Sequence, residues 1–161
     1  GAYPVESVRM LDAILREADM AVATEPRAER RAPQEDRPSP GHAQAMCEAA
    51  ITLAEREDAD AIVAVTRGGR TAAELSSLRP RVPIVAVTDR EAVANRLSLY
   101  WGVTPLLVDA VPDSAAIAAM GDLLRTNGFL AARPKGSTIV FVRISSNLGR
   151  LDANYITLQR Y

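Results

Sequence analysis

One segment of this 161-residue sequence gathers residue types suited to anion chemistry: Val65-Thr66-Arg67-Gly68-Gly69-Arg70-Thr71. It follows a short apolar run, Ala61-Ile62-Val63-Ala64-Val65, and leads into a stretch of helical spacing. Strand-to-helix turns of this kind sit at the sheet edge where open α/β folds bind ligands. The paired glycines let the backbone approach a ligand closely and adopt positive φ. The helix that follows presents unpaired N–H groups at the positive end of its dipole. Thr66 and Thr71 add hydroxyls, and Arg67 and Arg70 can fork onto phosphate oxygens. Together these describe a phosphate cradle, although the same spacing also fits a tight turn carrying solvated arginines. The loop matches neither G-x-x-x-x-G-K-[ST] nor G-x-G-x-x-G, so the standard nucleotide motifs are absent. Of the 19 basic residues only Lys135 is a lysine, so a phosphate site here relies on arginine forks and backbone amides.

Other chemistry-bearing residues are sparse. His42 is the only histidine and reads as a surface residue near a helix start. Cys47, the only cysteine, falls on an apolar helical face and reads as packing, since no second histidine could activate it. With one histidine, one cysteine and no clustered carboxylates, no metal site is assigned. Glu55, Glu57, Asp58 and Asp60 form an acidic run at a helix end and read as solvated. Trp101 reads as packing, with an effector-facing or interface role as the alternative. No acid–base pair or nucleophile triad assembles, so no catalytic residue is assigned.

Composition narrows the classes further. Hydrophobic residues make up 48% and charged residues 24%, an ordinary globular balance. A net charge of -1 argues against a domain built to coat nucleic acid or an anionic membrane. No apolar run reaches the roughly 18 residues needed to span a bilayer, and no signal-peptide pattern opens the chain. The single cysteine excludes an internal disulfide and fits a reducing cytoplasm. The chain opens on Gly1 rather than methionine, which points to a trimmed segment of a longer parent.

The elements that must position the loop follow from periodicity. Residues 4–22 read as a helix, with Val5, Val8, Leu11, Ile14, Leu15, Ala18 and Val22 on one face that needs a partner. Residues 24–40 hold four prolines and eight charges and read as a linker, which makes 1–23 an orphan helix and 41–161 the α/β domain. A helix is expected over His42–Glu57, then the strand 61–65, then a helix over Thr71–Leu78. Ile84–Val87 is a second buried strand. Thr88 and Glu91 form a capping-box pattern opening a helix to about Tyr100, with Gly102 able to close it. Val103–Val108 is a third strand, irregular or at an edge because of Pro105. Asp113 or Ser114 can cap a helix that Gly128 ends, and Thr138–Ile144 and Asn154–Gln159 complete the set. The short loop between the last two strands requires an antiparallel hairpin. The expected fold class is therefore α/β: an open, mostly parallel five-stranded sheet, helices on both faces and one antiparallel edge strand.

Several of these motifs occur in a fixed order that resembles the C-terminal domain of pyruvate kinases. That family carries a Thr-x-x-Gly-[Arg/Lys]-[Ser/Thr]-Ala loop after a strand, here Thr66 to Ala72. It continues with Arg-Pro, an apolar strand ending Val-Thr, and Leu-Tyr-x-Gly-Val, here Arg79-Pro80, Ile84 to Thr88 and Leu99 to Val103. The opening Gly1-Ala2-Tyr3-Pro4-Val5-Glu6-Ser7-Val8-Arg9-Met10 resembles the start of the last helix of the family's catalytic (β/α)₈ barrel, which would supply the first helix with its partner. The resemblance implies a regulatory and oligomerisation domain, tetrameric in the family. Phosphoryl transfer from phosphoenolpyruvate to ADP would occur in the barrel, with Mg or Mn and often K bound there and no cofactor in this chain. It implies that a sugar phosphate or AMP places its phosphate on Thr66, Arg67, Gly68, Gly69, Arg70 and Thr71. Ser145, Ser146, Gly149 and Asn154 would form the loop that closes over this effector. Relatives usually end that loop in Thr-Thr-Asn or Ser-Thr-Asn after a Gly/Pro-rich stretch, and here only Asn154 fits. The departure weakens a bisphosphate ligand more than a monophosphate. The alternative is a stand-alone anion- or nucleotide-binding module unrelated to glycolysis.

Overall fold

The computed structural model describes residues 2–24, 41–111, 117–130, 136–145 and 154–161, with 22–24 and 117–119 as backbone alone. The chain divides into two units, Gly1–Ser39 and Pro40–Tyr161. In the first, α1 spans Pro4–Thr24 and so runs two residues past the expected end. Pro4 occupies its first position, where a missing N–H is tolerated, and Ser7 Oγ donates to the carbonyl of Tyr3 at 2.7 Å. The apolar stripe read from the sequence is solvent-facing: Val5, Val8, Leu11, Ile14 and Leu15 are 55–66% exposed. The remainder of the expected linker, 25–40, lies outside the described residues.

The second unit runs α2 (His42–Arg56), β1 (Ala61–Val65), α3 (Arg70–Ser77), β2 (Ile84–Thr88), α4 (Glu91–Leu97), β3 (Val103–Leu107), α5 (Ile117–Thr126), β4 (Thr138–Arg143) and β5 (Tyr155–Arg160). The five strands order as β3-β2-β1-β4-β5. β1 is central and parallel to both β2 and β4, β3 is parallel to β2, and β5 closes the other side antiparallel to β4. The expected hairpin and mixed sheet are present. Pro105 sits in β3 on the sheet edge, where its lack of an N–H breaks no ladder on the outer side.

Alternation along the strands divides the core in two. Ile62 and Ala64, Ile84 and Ala86, and Val140 and Val142 face one side, where Cys47, Ala50 and Ile51 of α2, Leu75 of α3 and Leu97 of α4 pack on them. Ala61, Val63 and Val65, Val85 and Val87, and Ile139 and Phe141 face the other, against Met120 and Leu124 of α5. Strands covered on both faces read as continuous apolar runs rather than alternating ones. The chain steps from β1 to β3 through α3 and α4 on one face, then returns to β4 with α5 on the opposite face. Right-handed crossovers impose that switch when the direction of winding reverses.

The helix after β2 departs from its expected form. It starts at Glu91 with Arg90 as its N-cap and ends at Leu97, so the Thr88–Glu91 capping box does not form. Thr88 is the last residue of β2, fully buried, and its Oγ1 accepts the Arg90 N–H at 3.3 Å. Glu91 is thereby the first helical residue rather than the third. Gly102 has φ +67 but precedes β3 across a turn instead of capping α4. Gly128 does close α5, with φ +75 and its N–H donating to the carbonyl of Arg125 at 3.0 Å. Asp113 and Ser114 lie outside the described residues.

Candidate functional site

The loop Thr66–Thr71 leaves the C-terminal end of the central strand β1 and feeds α3. It abuts the end of β2, because the Thr66 N–H donates to the Val87 carbonyl at 2.9 Å. β1 is also where the winding reverses, the place at which open α/β sheets form a binding crevice. Its shape comes from two residues. Thr66, 7% exposed, accepts the Gly69 N–H on Oγ1 at 2.9 Å and folds the turn back on itself. Gly69 then takes the left-handed conformation, φ 80 and ψ -5, as the N-cap of α3. A side chain at Gly69 would be strained by that φ and crowded too. Its Cβ would lie 3.1 Å from Arg96 Nη2 and 3.3 Å from Val93 Cγ1.

What the loop offers a ligand is therefore more specific than its sequence. The Gly69 amide and the Thr66 oxygen are committed to the turn. The first bond of α3 runs from the Ala73 N–H to the Gly69 carbonyl at 3.0 Å, which leaves Arg70, Thr71 and Ala72 amides without an intrahelical acceptor. Glycine caps the helix with no side-chain hydrogen bond to those amides. Thr71 is buried, 6% exposed, and its carbonyl receives the Cys47 Sγ–H at 3.9 Å. Arg67 and Arg70 stay on the surface. Arg67 Nε lies 3.8 Å from Asp89 Oδ2, just past β2.

Two residues join the loop that carried no signal in the sequence. Arg96, on α4, donates through Nη2 to the Gly68 carbonyl at 2.6 Å and braces the turn from outside. Asp89 supplies the carboxylate opposite Arg67. Neither was legible, because each depends on which strand lies beside β1.

Of the expected closing loop, Ser145 and Asn154 are described, whereas Ser146 and Gly149 lie outside the described residues. Asn154 Oδ1 accepts the Ser145 N–H at 2.8 Å and so ties together the two ends of that loop. The same oxygen lies 3.3 Å from Nε2 of His42, which donates to it when the proton is on that nitrogen. His42 is at the start of α2 and exposed, as expected, but it also has this tertiary partner.

Cys47 is fully buried, and its thiol is pushed up to about 12 by burial first and by the charges of Glu74 and Glu48 next. That environment suits packing and opposes nucleophilic chemistry. Among the described residues, no group of three or more His, Cys, Asp or Glu side chains could hold a metal ion. No helix among them is long and apolar enough to cross a membrane. Trp101 is 39% exposed, with the Arg79 guanidinium 5.2 Å from its ring centroid and its carbonyl accepting from Ser76 Oγ at 2.8 Å.

Comparison with known proteins agrees with this architecture. The family model for the pyruvate kinase alpha/beta domain matches residues 44–154. A pyruvate kinase of Clostridium acetobutylicum is 36% identical over 110 residues, covering 68% of this chain and 22% of that protein. Pyruvate kinase 2 of a Synechocystis species is 34% identical over 137 residues, covering 81% of this chain and 21% of the relative. Among solved structures, Cryptosporidium parvum pyruvate kinase in complex with ADP superposes with a TM-score of 0.65 at 22% identity, over 77% of this chain and 25% of that one. The chain thus spans about a fifth to a quarter of the proteins it matches. By the family match over most of its length and by its fold, the chain belongs to the pyruvate kinase family, as that family's C-terminal α/β domain.

Proposed function

We propose that this domain is the regulatory part of a pyruvate kinase and binds a phosphorylated small molecule, a sugar phosphate or AMP, at Thr66–Thr71. The observation that carries the reading is the α3 N-terminus. Three amides without intrahelical acceptors emerge at the ligand-binding edge of a parallel sheet, flanked by Arg67 and Arg70. Backbone amides at the positive end of a helix and planar guanidinium forks are the two standard means of holding a phosphate. The Asn154 bond to Ser145 ties together the two ends of the β4–β5 connection, and that loop is the proposed cover of the bound effector.

In the parent enzyme, phosphoryl transfer from phosphoenolpyruvate to ADP belongs to a barrel domain that binds Mg or Mn and often K. The domain described here contributes contacts to a homo-oligomer, a tetramer, in the cytoplasm. The 161-residue chain alone makes no pyruvate from phosphoenolpyruvate and ADP; turnover by the purified chain would sink this assignment.

The direct test is calorimetry. The double substitution Arg67→Ala with Arg70→Ala weakens binding of a phosphorylated effector by roughly 2–5 kcal/mol, the worth of two charge-assisted contacts. Unchanged affinity retires the cradle. A thermal-shift panel of fructose 1,6-bisphosphate, glucose 6-phosphate, ribose 5-phosphate and AMP identifies the ligand, since binding only to the native state raises apparent stability.

A further inference from the structure

We infer that Asp89 is an internal competitor for Arg67: its carboxylate holds the guanidinium that an arriving phosphate must take away. The inference rests on the effector-loop reading above and concerns how that loop is restrained, whatever the rest of the ligand carries.

The two partners are held differently, and Asp89 is the fixed one. It follows Thr88, the fully buried last residue of β2, and the Arg90 N–H turns back to Thr88 Oγ1 at 3.3 Å. β2 pairs with β1, and the Thr66 N–H ties the end of β1 to the Val87 carbonyl at 2.9 Å. The sheet thus sets the backbone on both sides of the carboxylate. Arg67 is the movable partner. It stands between buried Thr66 and two glycines, and its side chain is half exposed, against 22% for Asp89.

The contact is strong enough to hold the guanidinium and weak enough to lose it. Arg67 Nε lies 3.8 Å from Asp89 Oδ2, close enough for charge attraction but beyond hydrogen-bond length. Oδ1 of the same carboxylate is buried with no hydrogen-bond partner, so Oδ2 is the oxygen that meets a counter-charge. A largely buried carboxylate is screened less than a surface one and keeps a cation beside it. A phosphate prevails over it, because its oxygens accept two parallel bonds from one guanidinium while the Arg70, Thr71 and Ala72 amides hold the same group. Capture of Arg67 then leaves the carboxylate without its counter-charge, and part of the attraction gained at the phosphate is lost at Asp89. Asp89 therefore lowers anion affinity, and it does so through Arg67.

The test is a double-mutant cycle on the 161-residue chain, with inorganic phosphate as the probe and the amide resonances of Arg70, Thr71 and Ala72 as the readout. Asp89→Asn keeps the size of the side chain, removes its charge and tightens phosphate binding by about three- to tenfold. In the Arg67→Ala background the same substitution changes affinity by less than about twofold, because no guanidinium is left to release. Asp89→Ala gives the same pattern and serves if the asparagine variant does not fold. Unchanged or looser binding in Asp89→Asn overturns the competitor reading, looser binding marking a carboxylate that aims Arg67 at the ligand. An equal gain in both backgrounds overturns it too, since plain repulsion between carboxylate and phosphate needs no Arg67. In each of these cases the cradle stands. If phosphate shifts none of the three amides in any of the chains, the cradle is overturned and this inference with it.

Discussion

Arg96 Nη2 donates to the carbonyl oxygen of Gly68 at 2.6 Å, and the same nitrogen is 3.1 Å from where a Cβ on Gly69 would sit. One contact thus braces the turn and crowds a side chain at its second glycine, where a φ of +80 already strains one. The two glycines are consequently not equivalent.

Gly69→Ala puts a side chain at φ +80 against Arg96, Val93 and Leu97 and lowers stability by about 1–3 kcal/mol. Gly68 has open space around its Cβ position and no positive φ, so Gly68→Ala leaves the unfolding midpoint nearly unchanged. Urea denaturation of the two variants side by side checks the asymmetry.

Removing the brace has a milder effect. Arg96→Ala deletes a charge-assisted bond at an exposed position and lowers stability by about 1 kcal/mol. Amide exchange at Gly68 and Gly69 rises, because the turn then rests on the Thr66 hydroxyl alone. Native-state hydrogen exchange reads this directly.

Asn154 holds two groups that lie far apart in sequence. Asn154→Ala leaves the Ser145 N–H and His42 Nε2 without this acceptor and costs about 1–2 kcal/mol. The Ser145 amide exchanges faster in the variant, whereas His42→Ala leaves that amide protected. Comparing exchange in the two variants separates the loop tie from the histidine contact.

Cys47 resists thiol reagents in the folded chain. Burial raises its pKa to about 12, so at pH 8 roughly one molecule in 10⁴ carries the thiolate. A disulfide reagent labels the native chain at least a hundredfold more slowly than the chain in urea. Fast labelling of the native state would contradict the buried placement.

Phe141 anchors the face covered by α5. It is fully buried, and its ring meets Tyr161 edge-on at 6.3 Å. Phe141→Ala opens a cavity and destabilises by about 3–5 kcal/mol, against about 5–15 kcal/mol for the stability of a typical whole domain. Calorimetric or urea unfolding gives the value.

Local chemistry was enough to reveal much of this protein. Runs such as Ala61–Val65 and Ile84–Val87 read as strands covered on both faces, since a short continuous apolar run between turn signals is typical of such strands. The short interval before the last strand required a hairpin, and β4 and β5 pair antiparallel. The Thr66–Thr71 turn was visible because glycine pairs and a helix start leave a local signature. What the sequence misjudged was also local but ambiguous. Thr88 and Glu91 have capping-box spacing, yet the sheet claims Thr88 and moves the helix start to Glu91.

The surroundings of the loop were decided only by the tertiary fold. Asp89 faces Arg67 because β2 lies parallel beside β1, and Arg96 reaches Gly68 because α4 packs over the glycine turn. His42 meets Asn154 across 112 residues. Backbone conformation depends strongly on near neighbours along the chain, so periodicity and turn chemistry record it. Side-chain partners at a sheet edge depend on strand order, which is settled by the packing of the whole domain.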